Sequence, residues 1–360
     1  MVHQYQYWLL ALPILMLDAA QGVVATPGIH AERSNPSHSG LHVLPLIEDS
    51  GDDYHSWLAQ VAAGTPPQKM RLYLDIAKST TCMSFLDTFD IAGVSIPKQV
   101  FGLLNPRKDE FNGIGGLGLG PNTEYGYAPG KIYSSFLDSL VANKKIISRT
   151  YSVDLRKHGS KPASIILGGI DTGKFKGKLV KRPLVKDELG TPSIVLTGLR
   201  QTVPKGKNQA SEVTSYQVHK NDSVFLLDSS NQYLRLRHSF VDPLYKTLGA
   251  VNDGNDAYFV PCEKRNMPGS WDFQFGDVTI KIPYSKIITD QSDDKGKTCW
   301  VGVLTTWKGQ LVLGQPFLEA AYLAFDLDNK EVALAPPANC GGKLVAFGSG
   351  PNAIPNLKGC

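Results

Sequence analysis

The sequence predicts a mostly β fold. Its apolar stretches are short and rich in Val, Ile and Leu, and 35 Gly and 23 Pro recur between them, a pattern typical of strands joined by turns. Long amphipathic helices are not visible. With 360 residues, of which 42% are hydrophobic, the chain can bury the core of one large or two medium domains. A disordered protein is therefore excluded.

The charges of the chain are close to balanced. Lys and Arg number 37 and Asp and Glu 33, which gives a net charge of +4, and no block of like charges stands out along the sequence. A nucleic-acid binder usually carries a concentrated basic surface. We therefore expect no nucleic-acid partner.

The N-terminal segment has the pattern of a secretory signal. Residues 8–17 (WLLALPILML) form an apolar run that is too short to span a bilayer, and small residues follow at Ala19, Ala20 and Gly22. We expect residues 1–22 to be a cleaved signal peptide and 23–40 a short N-terminal segment; the alternative is a buried hydrophobic strand. No second apolar run reaches spanning length. The sequence thus predicts a secreted protein without a membrane anchor.

The cysteines fit an oxidising compartment rather than a metal site. None of the five lies in a CxxC motif or a Cys/His cluster, so we expect no metal, no other cofactor and no thiol redox chemistry. An odd number leaves one cysteine unpaired. The five are Cys82, Cys262, Cys299, Cys340 and Cys360. A sequon at Asn221, followed by Asp and Ser, predicts N-glycosylation of a secreted chain.

One pattern occurs twice along the chain: an apolar strand that runs into an Asp. It is found at 71–75 (RLYLD) and 224–228 (VFLLD), and an apolar segment that ends in Gly lies downstream of each, at 114–116 and 312–314. Two related halves that face each other would bring the two carboxylates together across a pseudo-twofold interface. The repeat therefore predicts an acid/base pair formed by Asp75 and Asp228.

Longer segments carry a resemblance to a known family. Residues 57–75 include the turn GTPPQ before the first Asp, and 164–184 include GGID; 87–102 and 311–335 match in the same order along the chain. Together they resemble the pepsin-like aspartic peptidases of the secreted fungal type.

The resemblance implies an all-β, bilobal fold with pseudo-twofold symmetry. The N-terminal lobe would span 41–175 and the C-terminal lobe 176–336, followed by a Gly/Pro-rich tail at 337–360. We expect a monomer with a protein or peptide bound in the cleft between the lobes. The family's disulfide in the second lobe implies that Cys262 pairs with Cys299. Cys340 and Cys360 are then left as a possible closure of the tail, with Cys82 free.

The resemblance also assigns chemistry to the two Asp. Asp75 and Asp228 would share one proton, because like charges about 3 Å apart cannot both ionise, and the ionised carboxylate would activate a water that attacks the peptide carbonyl. The alternative for each is an Asp that merely caps a turn.

The residues after each Asp depart from the family's Asp-Thr/Ser-Gly signature. The first loop continues with Ile76, Ala77 and Lys78, and the second with Ser229, Ser230 and Asn231. Only Ser229 keeps the hydroxyl that braces the two loops. Ala77 and Ser230 place a Cβ where the family keeps Gly. A cation at Lys78 would oppose a shared proton on Asp75, unless its side chain extends into solvent.

The first half of the repeat is also short. Asp228 and Gly314 lie 86 residues apart (314 − 228 = 86), whereas Asp75 and Gly116 lie 41 apart (116 − 75 = 41). The missing piece falls at about 79–86, where the family carries the flap that closes over the substrate. It is either a true deletion or an exon lost from the gene model. Residues 23–40 contain no dibasic processing site. Two functions follow: an acid endopeptidase of weak activity, or a non-catalytic relative that binds a peptide, protein or small molecule in the cleft.

Overall fold

A computed structural model describes residues 40–51, 54–77, 87–99, 116–120, 134–156, 163–186, 192–205, 210–254, 257–292 and 297–360. These residues belong to one compact unit, 38–360. The predicted signal peptide, the segment missing near 79–86, Lys78 and Cys82 lie outside the described residues. Within the described part of the chain, no helix is long and apolar enough to cross a membrane.

The described residues are mainly β-strands. In chain order the strands are His42–Gly51 (β1), Tyr54–Ala63 (β2), Gln68–Asp75 (β3), Asp87–Ile91 (β4), Val94–Gln99 (β5), Gly116–Gly118 (β6), Thr150–Asp154 (β7), Ser164–Leu167 (β8), Gly169–Asp171 (β9), Val180–Pro183 (β10), Val185–Lys186 (β11), Pro192–Val195 (β12), Gly198–Val203 (β13), Glu212–Tyr216 (β14), Val224–Leu227 (β15), Leu234–Arg237 (β16), Val251–Asn252 (β17), Tyr258–Pro261 (β18), Ser270–Phe275 (β19), Val278–Pro283 (β20), Ile288–Ser292 (β21), Thr298–Val301 (β22), Val303–Thr306 (β23), Leu311–Leu313 (β24), Tyr322–Asp326 (β25), Glu331–Ala335 (β26) and Leu344–Ala346 (β27).

The helices are few and short. The α-helices are Phe136–Ala142 (α1), His238–Leu248 (α2), Tyr284–Ile287 (α3) and Gln315–Leu318 (α4), and single 3₁₀ turns cover Thr172–Lys174, Lys220–Asp222 and Cys262–Asn266. A capping box at Ser135 and Asp138 starts α1, with the two side chains satisfying each other's backbone N–H groups. Gly249, in the left-handed region at φ 66°, ends α2.

The largest sheet has eleven strands and draws on both halves of the chain. Its main path runs β10-β26-β25-β7-β8-β1-β2-β3-β6, with β4 and β5 attached at β2. Strands β10, β25 and β26 fall in the region predicted as the C-terminal lobe, yet β25 pairs directly with β7. All residues of β7 and β25 are buried, because both strands are covered on both faces. The sheet therefore joins the two halves.

The second half forms its own smaller sheets. One has the order β11-β12-β15-β24-β16-β23, and two four-stranded sheets have the orders β14-β13-β19-β20 and β17-β18-β22-β21. In β20 buried and exposed residues alternate strictly, as expected for a strand with one face on the core. Trp271, Phe273, Phe275 and Phe317 are fully buried and in edge-to-face ring contact. They form the aromatic centre of this half.

Residues 337–360 pack against the rest of the chain. β27 pairs with β9, and Phe347 and Ile354 are buried in a small apolar cluster with Phe175. Disulfides join Cys340 to Cys360 and Cys262 to Cys299. Residues 337–360 are therefore folded, although their Gly- and Pro-rich composition by itself suggests a polar tail.

Candidate active site

Asp75 lies at the end of a strand that runs parallel to its neighbour. β3 pairs with β6, so that Asp75 is opposite Gly118, and the N–H of Leu119 donates to the Asp75 carbonyl at 2.8 Å. The carboxylate is partly buried, and its Oδ1 accepts a hydrogen bond from the Ala77 N–H at 3.0 Å. The strand end and this bond hold the carboxylate to its own loop.

Asp228 lies in a matching position in the second half. β15 runs parallel to β24, with Leu227 opposite Leu313, and the Asp228 N–H donates to the Leu313 carbonyl at 3.3 Å. Asp228 is also partly buried. Its Oδ1 accepts from both the N–H and the hydroxyl of Ser230, at 2.9 and 2.6 Å.

The strand register changes one detail of the repeat. Asp75 is opposite Gly118, so Gly118, rather than Gly116, is the counterpart of Gly314. The first half then spans 43 residues (118 − 75 = 43) against 86 in the second. The sequence alone does not separate Gly116 from Gly118, because residues 113–120 (GIGGLGLG) offer several Gly in the same pattern, and strand pairing selects one of them.

Gly314 permits a close approach of two backbone segments. A Cβ at this position would lie 2.2 Å from the Tyr233 carbonyl oxygen and 2.3 Å from that of Asn231, distances that no side chain tolerates. The Asn231 carbonyl also accepts the Gln315 N–H at 2.8 Å. The end of β24 is therefore bonded directly to the turn that follows Asp228.

Ser229 connects the two Asp loops. Its hydroxyl accepts a hydrogen bond from the Ile76 N–H at 3.1 Å and donates one to the Leu74 carbonyl at 2.8 Å, across more than 150 residues of sequence. Ser229 is 3% exposed, so these bonds are shielded from water. One side chain of the second loop thus holds the backbone on both sides of Asp75.

The first loop cannot make the corresponding side-chain bond to the second loop. Ile76 occupies the matching position, is 1% exposed and packs in the main apolar core. Its side chain has no hydrogen-bonding atom, so it fills the space by van der Waals contact alone.

Ser230 and Asn231 have roles that differ from those suggested by the sequence. Ser230, expected only to crowd the loop with its Cβ, bonds the Asp228 carboxylate twice. Asn231, the third residue after Asp228, accepts a long bond of 3.4 Å from the Tyr233 N–H through its side-chain oxygen. A hydroxyl two residues after the Asp is the signal that could have found Ser230, since Ser side chains commonly bond nearby acceptors in turns.

Tyr151 is a polar residue at the site that the sequence did not indicate. It lies on β7, stacks on Phe325 with ring centroids 4.8 Å apart, and is completely buried. Its hydroxyl has no hydrogen-bond partner among the described residues. Burial and, second, the negative charge of Asp75 raise the pKa of Tyr151 well above its ordinary value. The phenol therefore stays neutral. The sequence around Tyr151 shows only an apolar strand pattern, which does not indicate that its hydroxyl is buried or that the charge of Asp75 acts on it.

Comparisons with known proteins find related sequences. The sequence model of the eukaryotic aspartyl protease family matches residues 77–337, a stretch that contains Asp228 and begins two residues after Asp75. Barrierpepsin of Saccharomyces cerevisiae is 30% identical over 319 residues, which is 84% of this chain and 52% of that protein. Secreted aspartic protease 5 of Candida albicans is 30% identical over 266 residues, covering 70% of this chain and 56% of that protein. The chain spans about half the length of the curated relatives it matches.

The fold is also found in a solved structure. The aspartic proteinase from Irpex lacteus superposes with a TM-score of 0.63 at 18% identity, covering 84% of this chain and 98% of that structure. This likeness confirms the predicted pepsin-like, mostly β fold. The family match over 77–337 confirms the resemblance read from the sequence, and the chain belongs to the eukaryotic aspartyl protease family.

Proposed function

We propose that the protein hydrolyses peptide bonds by the aspartic-type mechanism, at a low rate. The observation that carries the proposal is the bond pair of Ser229, whose hydroxyl joins the loop of Asp228 to the backbone on either side of Asp75. Two carboxylates act on one water only if their loops are held together.

The proposed reaction uses Asp75 and Asp228 as the catalytic pair. They would share one proton, and the ionised carboxylate would take a proton from a water between them as that water attacks the peptide carbonyl. On each Asp the Oδ1 atom is bonded to its own loop, through Ala77 in one case and Ser230 in the other. These bonds limit rotation of the carboxylates and so favour attack from one direction.

Two features account for the low rate. Ile76 cannot return the brace that Ser229 provides, so the backbone beside Asp228 lacks the matching side-chain bond from the first loop. Ala77, which is buried, adds a Cβ next to Asp75 where the family keeps Gly. A positioning error of about 1 Å in an active site costs on the order of 100-fold in rate.

A second function is favoured by the buried Ile76. An alkyl side chain that is 1% exposed at the brace position preserves packing between the loops while removing a hydrogen bond that serves the dyad. A protein that binds a peptide, a protein or a small molecule without cleaving it has no need of that bond.

Cleavage of a denatured protein substrate between about pH 3 and 5 tests the proposal, because one shared proton is populated in that range. The wild type should show slow turnover that Asp228→Asn abolishes. Ile76→Thr, alone and with Lys78→Ser, should raise the rate by restoring the hydroxyls. A matched control is Ile91→Thr, which introduces the same change at another buried strand position.

Two results would contradict the proposed hydrolysis. A wild type without turnover that stays inactive as Ile76→Thr plus Lys78→Ser would support the binding function. Turnover that persists in Asp228→Asn would remove the dyad from the mechanism.

We further propose that the protein is secreted as a monomer after removal of residues 1–22 and carries a glycan at Asn221. Asn221 is exposed on the 3₁₀ turn Lys220–Asp222, and the described residues form two disulfides, which persist in oxidising compartments. Mass spectrometry of the secreted protein before and after glycosidase treatment would test both the cleavage and the glycan. A secreted chain that still begins at Met1 or shows no mass loss would contradict the respective proposal.

A further inference from the structure

Two segments that are distant in sequence pack together and carry only positive charges. Residues 172–185 and 336–360 contain seven Lys or Arg and no Asp or Glu. Because the whole chain has a net charge of +4, the remaining residues sum to −3. The fold thus concentrates positive charge that is dispersed along the sequence.

Three of these seven cations have acidic partners from other parts of the fold. Lys174 lies 3.9 Å from Asp154, Lys181 is 3.4 Å from Glu331, and Arg182 is 3.9 Å from Asp277. The other four are exposed and have no ion pair within the described part of the chain. We call these four the lysine group: Lys176, Lys178, Lys343 and Lys358.

The backbone places two of these lysines side by side. Lys178 and Lys358 are opposite each other in an antiparallel bridge. The flanking bonds, Leu179 N–H to Leu357 carbonyl at 3.1 Å and Gly359 N–H to Gly177 carbonyl at 2.8 Å, identify this as a non-hydrogen-bonded pair. In such pairs the Cα atoms approach to about 4.5 Å and the side chains lie closest.

The pair is held rigidly, although it is electrostatically unfavourable. Like charges directly opposite in a ladder destabilise it. Yet the Cys340–Cys360 disulfide closes the segment next to the pair, and the Cys360 N–H donates to the Phe175 carbonyl at 3.1 Å. The backbone of Lys343 is fixed as well, because its N–H donates to the Asp171 carboxylate at 2.7 Å. A rigid group of ammonium ions that have no ion-pair partner among the described residues is prearranged for an anion with several charges.

We propose that the lysine group, with the Lys178 and Lys358 pair at its centre, binds an anionic polysaccharide that carries sulfate or phosphate groups. Lys presents a compact point charge with three rotatable donors, which suits repeated anionic groups on a flexible chain better than a single planar carboxylate. The two disulfides favour an extracellular setting, in which long polyanions are mainly glycans.

The test is binding of full-length protein to heparin as the probe, at about 50 and 150 mM NaCl. The wild type should bind, with an affinity that falls as salt rises. Lys178→Gln plus Lys358→Gln should weaken binding by about 10- to 30-fold. The matched control, Lys246→Gln plus Lys308→Gln, removes the same charge from two exposed lysines elsewhere and should change affinity less than about twofold.

The melting temperature supplies a second readout. Without heparin, the Lys178→Gln plus Lys358→Gln variant should melt at the same or a higher temperature than the wild type, because a repulsion is removed. A lower melting temperature would overturn the argument from like charges. Equal heparin affinity of the two double variants would overturn the site. Tighter binding of single-stranded DNA than of heparin at equal charge would overturn the assignment to a polysaccharide.

Discussion

The two Asp loops share a backbone and differ in chemistry. Each Asp ends a strand paired in parallel with a neighbour, and each Oδ1 accepts the N–H two residues on. The second loop adds two hydroxyls: Ser230 bonds its own Asp228, and Ser229 reaches the first loop. The first loop offers Ile76 and Ala77 in those places. The first half therefore keeps the strand arrangement around its Asp but lacks the two hydroxyl side chains that the second loop has.

Burial explains why this difference is compatible with folding. Ile76 and Ser229 are both almost fully buried, at 1% and 3% exposure. A buried hydroxyl is stable because both of its bonds are made, and a buried Ile is stable through apolar contact. Each is an adequate solution for packing, but only the hydroxyl holds the neighbouring loop in a defined position.

The largest effect is expected from Gly314→Ala. The added Cβ would meet two backbone carbonyl oxygens at 2.2 and 2.3 Å, so the turn after Asp228 must move, at a cost of about 3 kcal/mol or more. Gly116→Ala is the control from the first half, because its Cβ would lie 3.8 Å from the nearest atom, the Tyr73 carbonyl oxygen. Denaturant unfolding measures both. Equal losses would show that the close backbone approach at Gly314 does not constrain the turn after Asp228.

Ser229→Ala should have the next largest effect. It leaves the Ile76 N–H and the Leu74 carbonyl buried without their partner, which costs about 1–3 kcal/mol. Ser230→Ala removes one bond from an exposed side chain and should cost less than about 1 kcal/mol. Thermal melts of the two variants compare the bonds of Ser229 between the loops with the bond of Ser230 inside its own loop. A larger drop in melting temperature for Ser230→Ala than for Ser229→Ala would contradict this prediction.

Tyr151→Phe should raise stability by up to about 1 kcal/mol, because a buried hydroxyl without a partner is removed. Tyr322→Phe is the contrasting control. Its hydroxyl donates to Ser152 and accepts the Asp171 N–H, both at 3.1 Å, so its removal should destabilise the protein. A melting temperature that falls in Tyr151→Phe would contradict this expectation and indicate that the Tyr151 hydroxyl is hydrogen-bonded, for example to a buried water.

The smallest effect concerns pH. Burial raises the pKa of Asp154 above its ordinary value of 3.8, although the Arg156 guanidinium 2.7 Å away acts in the opposite direction. The folded state therefore holds this proton more tightly than the unfolded chain, and the contribution to stability is present below pH 3.8 and lost as pH rises through the folded-state pKa. Between pH 3 and 7 the melting temperature of the wild type should fall relative to that of Asp154→Asn. A relative rise would contradict the sign.

The sequence could predict much of the site because its local patterns have local causes. Apolar runs that end in Asp75 and Asp228 became strand ends, and the hydroxyl of Ser229 was found where the resemblance implied it. The bond from Ser230 to Asp228 does not follow from the family's Gly at this position, because that comparison concerns the added Cβ and not the hydroxyl. The environment of Tyr151 could not be foreseen, since it depends on two strands, β7 and β25, that are distant in sequence.

What the sequence determined by itself is the fold class, the repeat and the residue types available to each loop, since these follow from periodicity, turn residues and side-chain chemistry. Tertiary structure alone decided which Gly faces Asp75, that β10, β25 and β26 complete a sheet begun in the first half, and that Lys178 lies opposite Lys358. Each of these depends on strand register and on contacts between segments far apart in the chain. Register is set by the summed packing of whole strands, and no local pattern of residues contains that sum.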